Sequence, residues 1–134
     1  MEKHYLLLAE QIIFRNNKLS LINVMDQFLA IHLPASFNFD LAFICGPGWQ
    51  PGDYDLMFKV RIDDKDAIEL GAIKTKIDSD KSIFNAIASD LNFGLDKNTQ
   101  EVTFIVERNG EAVCTRTYPV SYLFEIKQED RPTV

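Results

Sequence analysis

YLLLAEQIIFRNNKLSLINV, residues 5–24, is the stretch whose reading decides the fold. Tyr5 to Phe14 carries apolar side chains at both parities, the pattern of a strand covered on two faces, although a buried helix can show the same run. Arg15, Asn16, Asn17 and Lys18 interrupt it, and asparagine tolerates the tight-turn backbone that helix interiors avoid. Leu19 to Val24 is too short and too β-branched for a helix and has to double back. The economical reading is a β-hairpin on which later strands are laid. The alternative is one helix from Glu2 to Phe14 followed by a strand.

The chain of 134 residues has the length of a single domain, placed at residues 1–126, with a polar and frayed tail over 127–134. Hydrophobic residues make up 46% of it, with ten Phe, four Tyr and one Trp, so a core is expected rather than disorder. Its apolar runs are shorter than the ~20 residues that cross a bilayer as a helix, and no cleavage site follows the first of them. A cytoplasmic location without membrane association is therefore the expectation. A net charge of −6 leaves no clustered basic face for phosphates, so no nucleic-acid partner is expected either. Cys45 and Cys114 sit in strand-like runs and are read as reduced.

From Phe28 to Leu33 the chain reads as a short or edge strand that Pro34 ends. Phe39, Leu41, Phe43 and Cys45 share one strand parity and point to the core. Tyr54 to Asp63 alternates apolar and polar residues as a half-buried strand does. On the return strand the apolar parity moves from Ile68 and Leu70 to Ile73, Thr75 and Ile77, a change of phase at Gly71 and Ala72 that predicts a β-bulge. Ile83 to Phe93 fits helical spacing as well as strand parity, and is read as a strand because a sandwich needs one there. Asn109 and Gly110 between two strand-like runs form the dipeptide of a type I′ hairpin turn. That turn predicts Val106 opposite Val113, Phe104 opposite Thr115 and Ile105 meeting Cys114. The fold class that follows is an all-β antiparallel sandwich of about seven or eight strands, Ig-like or C2-like.

Candidate functional residues are few. Trp49 and Gln50 lie in the glycine- and proline-rich segment from Gly46 to Asp53, where an indole either serves as a binding element or folds back to cap one end of the sandwich. Asp63, Asp64 and Asp66 in one turn, facing Asp78 and Asp80 in another, could supply oxygen ligands to calcium in a C2-like arrangement. Glu10, in an otherwise apolar strand, is a carboxylate in a perturbed setting, or else makes a buried structural hydrogen bond or faces solvent beside Gln11. His4 and His32 are the only histidines, and no nucleophile elbow, Walker loop, dinucleotide glycine pattern or zinc spacing is present. No enzymatic activity and no cofactor are expected.

The runs Ala9-Glu10-Gln11-Ile12-Ile13-Phe14 and Lys18-Leu19-Ser20-Leu21-Ile22-Asn23-Val24-Met25-Asp26 resemble an uncharacterised family of small bacterial and phage-associated β-sandwich domains. Pro34, Gly94-Leu95 and the Asn109-Gly110 hairpin follow in the order that family shows. Met25 stands where the family has an aromatic residue, and Asp96-Lys97-Asn98 where it has a proline-rich turn. The resemblance implies a β-sandwich and carries no activity. The function expected is a non-enzymatic binding or assembly module that meets a protein partner, or itself, through loops or an exposed strand edge. The alternative is a calcium- or ligand-binding domain at the acidic turns.

Overall fold

The computed structural model describes residues 2–16, 18–95 and 98–123. The positions that read as a frayed tail, 127–134, lie outside them, as do Asp96 and Lys97. Nine strands form among the described residues, where the sequence predicts seven or eight: β1 (His4–Arg15), β2 (Lys18–Val24), β3 (Phe28–Ala30), β4 (Ala35–Cys45), β5 (Gly52–Ile62), β6 (Ile68–Ile77), β7 (Phe84–Leu95), β8 (Glu101–Arg108) and β9 (Glu111–Tyr122). β1 and β2 pair as the expected hairpin rather than forming a helix, with Arg15 opposite Lys18 and Asn16 at φ 52° in the turn.

Two sheets pack face to face. One has the order β2-β1-β4-β7 and the other β3-β9-β8-β5-β6. Leu6, Leu8, Phe39, Leu41 and Phe43 of the first meet Leu56, Phe58, Val60, Val102, Phe104 and Val106 of the second in one buried core. The alternating pattern of β5 has its expected physical cause, since Leu56, Phe58 and Val60 are buried between outward-turned neighbours. Phe28 sits at the centre, its ring 5.1 Å from those of Phe37 and Phe93 and 5.7 Å from that of Phe39.

Four details differ from the sequence reading. First, β3 pairs with β9 in parallel, so the sandwich is not wholly antiparallel. Second, the β8–β9 register slips by one residue past the Asn109-Gly110 turn. Glu107 still faces Ala112, but Val106 then faces Cys114, Ile105 faces Thr115 and Phe104 faces Arg116, which leaves Val113 as the extra residue of a bulge. Third, the bulge of β6 falls one residue early: Phe58 faces Gly71 and Lys59 faces Glu69, so Leu70 is the unpaired residue. Fourth, β1 is apolar at both parities, yet this chain's second sheet covers only one of its faces.

Candidate functional site

Trp49 is held by its neighbours and is 1% exposed. Its ring stands edge-on to Tyr54 at 5.1 Å and to Phe43 at 6.3 Å. The Arg108 guanidinium lies 4.6 Å from the indole centroid and also donates a 2.8 Å hydrogen bond to Glu2 Oε1. An indole closed between core aromatics and a stacked cation caps the end of the sandwich and presents no surface to a partner. This removes Trp49 as an exposed binding residue. Gln50 is exposed, and its backbone carbonyl accepts a 2.6 Å hydrogen bond from the Tyr54 hydroxyl.

The five aspartates do not form one site. Asp63, Asp64 and Asp66 precede β6, whereas Asp78 and Asp80 follow it, so the ten residues of that strand separate the two turns by about 30 Å. Asp63 is also committed to the fold, with Oδ1 accepting from the Gln100 and Glu101 amides at 3.0 and 3.1 Å. A single calcium ion needs its ligands within ~2.6 Å, which the two turns cannot provide together.

The register brings His4 opposite Cys45, a pairing that the sequence did not suggest. The geometry nevertheless opposes nucleophilic chemistry. Burial pushes the Cys45 thiol up to about 11, only partly offset by a backbone hydrogen bond with Phe84 and by Arg108, and Sγ donates to the Phe84 carbonyl at 3.6 Å. Cys45 and Cys114 are free thiols, and burial pushes Cys114 up as well. A thiol whose ionisation is suppressed by folding stabilises the native state below its unfolded value near 9, and that contribution is lost as pH rises towards about 11. We therefore expect native protein at pH 8 to leave Cys45 unmodified by a disulfide-exchange reagent while denatured protein reacts at both cysteines. Cys45→Ala should lose less stability than wild type between pH 9 and 11; rapid native labelling of Cys45 would contradict this account.

The surface that stands out is the outer face of the four-stranded sheet. Leu6, Phe43 and Ala86 are register neighbours turned into the core. The intervening rows therefore point outward: Tyr5, Ile44 and Asn85, then Leu7, Ala42 and Ile87, then Val24, Ala9 and Asp40. Tyr5 is 58%, Val24 56% and Ile87 37% exposed. Between these larger side chains Ala9 and Ala42 are buried in a small cluster separate from the main core, joined by Ile12, Leu19 and Leu21 from the hairpin. The sequence signal was the double parity of β1, which names two apolar faces without saying what covers the second.

One end of this face carries a depression of about 380 Å³ lined by Glu10, Gln11, Ile12, Asp40, Ser89 and Asp90. Asp40 is buried there and spans three strands, Oδ2 accepting from the Ile12 amide at 2.8 Å and Oδ1 from the Asp90 amide at 2.9 Å. Asp90 takes a positive φ of 57° where the β4–β7 register shifts, a conformation that aspartate tolerates. Glu10 is exposed beside Gln11 and accepts from Asn23 Nδ2 at 2.6 Å, so it faces solvent rather than making a buried hydrogen bond. Asp40→Ala should cost roughly 2–3 kcal/mol by stranding two amides, and Asp40→Asn about half of that because one acceptor remains. Urea midpoints unchanged in both variants would contradict this role.

No family model and no curated protein matches this chain.

Proposed function

We propose that this chain is a non-enzymatic binding or assembly module whose working surface is the outer face of the four-stranded sheet, rather than a loop. The observation that carries the reading is the row-by-row placement of Tyr5, Leu7, Ile44, Val24 and Ile87 on a face that the second sheet does not cover. Contiguous apolar surface of this kind costs solubility unless something covers it, so it marks an interaction site. The buried indole and the separated aspartates supply no competing surface of similar extent. Suppressed ionisation at Cys45 supports the non-enzymatic half of the reading.

Two measurements on the whole chain test it: light scattering and the fluorescence of the apolar dye 8-anilinonaphthalene-1-sulfonate. The expected result is either a monomer that brightens the dye or an oligomer in which the face is covered. A monomer that leaves the dye dark overturns the reading. With a monomer, Ile87→Lys should reduce the brightening without lowering the melting temperature by more than a few degrees, because the side chain is already partly in water.

A further inference from the structure

We infer that the occupant of this face is a second copy of the chain, packed sheet on sheet about a two-fold axis that passes close to the row of Leu7 and Ala42. The inference rests on the reading above and names its partner. What selects a second copy is the distribution of charge along the face. Lys3 is exposed one step beyond Tyr5 on the outward parity of β1, and the register continues there, with the Gly46 amide donating to the Lys3 carbonyl at 2.7 Å. The opposite end carries the depression with Glu10, Asp40 and Asp90. Lys3 and Ala9 are separated by about 20 Å of strand, at roughly 3.3 Å per residue.

The face is thus positive at one end, acidic at the other and apolar between. Stacking two copies in the same direction sets Lys3 over Lys3 and carboxylate over carboxylate. A two-fold axis through the middle reverses one copy, so that each Lys3 meets the partner's acidic depression and the apolar rows meet each other. That is the self-complementary condition of an isologous interface, and the charges fix its orientation.

The area sets the strength. Four strands about 4.8 Å apart over some 20 Å of length offer roughly 400 Å² a side, or about 800 Å² for the pair, the size of a weak and transient interface. The dimer is therefore reversible and forms only at high protein concentration.

Sedimentation velocity over a wide concentration range, with the full chain, tests the inference. Wild type should pass from monomer to dimer. Ile87→Glu should raise the dissociation constant about 100-fold or more, since it places a carboxylate in an apolar contact. Lys3→Glu and Glu10→Lys should each raise it about 5-fold, and the double variant should return towards wild type because both ends of the interface exchange sign together. If circular dichroism shows that Ile87→Glu disturbs folding, Tyr5→Lys, at a side chain already mostly in water, takes its place. A monomer at all concentrations overturns the inference, as does a dimer indifferent to the apolar and charge variants or a double variant no better than either single one. A monomer that brightens the dye leaves the face to a different partner and sinks only the second copy, whereas a monomer with the dye dark sinks the function reading as well.

Discussion

Phe28→Ala is expected to cost about 3–5 kcal/mol and to lower the melting temperature by roughly 10–20 °C. The side chain is fully buried, and besides Phe37, Phe39 and Phe93 it meets Phe104 at 6.2 Å and Tyr118 at 5.9 Å, so that one ring joins aromatic side chains from both sheets. Truncation would remove the transfer energy of the ring and leave a cavity whose walls belong to four different strands besides β3, an arrangement that relaxes poorly. The strand carrying Phe28 is only three residues long and is held by parallel pairing to β9. Without its anchor it has little reason to stay. Leu29, next along the chain and exposed, is the control: Leu29→Ala should change stability by less than about 1 kcal/mol. Urea unfolding of the two variants decides the matter, and a Phe28→Ala loss below about 1 kcal/mol would mean that the ring is not the centre of the core.

How much could be read from the sequence depended on whether the deciding interaction was local. The hairpin at Asn109 and Gly110 was legible because both positions take positive φ, 51° and 89°, which few other residue pairs accept. The register beyond it was not, because nothing about Val113 marks it as the extra residue; its bulge is set by packing on the core. The two acidic turns were separable in principle, since one strand joining two turns puts them at its opposite ends, and composition alone misled there. Trp49 was legible as part of a loop, but its burial depends on Arg108 and Phe43, which no local pattern connects to it. The parallel pairing of Phe28–Ala30 with the last strand was equally invisible, because three residues carry no direction. For the candidate face, alternation in β1 announced a second apolar side, and only the register showed which side chains of β2, β4 and β7 join it.

Gly46→Ala should be about as damaging as the loss of Phe28, by a mechanism that involves no core volume. Gly46 follows β4 at φ +102°, where a Cβ is strained in any L residue, and the added carbon would lie 2.1 Å from the Ser82 carbonyl oxygen and 3.2 Å from the Ile83 Cα. Both are backbone atoms of the segment between β6 and β7, so no side chain can swing aside. That segment is tied to the Trp49 loop by the Gly48 amide, which donates to the Asp80 carbonyl at 2.7 Å. Relief of the clash has to part the two segments and loosen the lid over Trp49. Backbone strain of about 1–2 kcal/mol and overpacking of about 1–3 kcal/mol combine to a loss of roughly 2–5 kcal/mol, a large share of the 5–15 kcal/mol typical of a domain. Amide exchange at Gly48 and tryptophan emission should report the opening. Gly71→Ala separates this cause from the ordinary entropy of glycine, since its Cβ would meet no atom within 4 Å and its φ is unremarkable. That variant should be neutral or slightly stabilising. If both substitutions shift the urea midpoint equally, close approach of the two segments at Gly46 is not what requires the glycine; a large loss at 46 beside neutrality at 71 assigns the requirement to that contact.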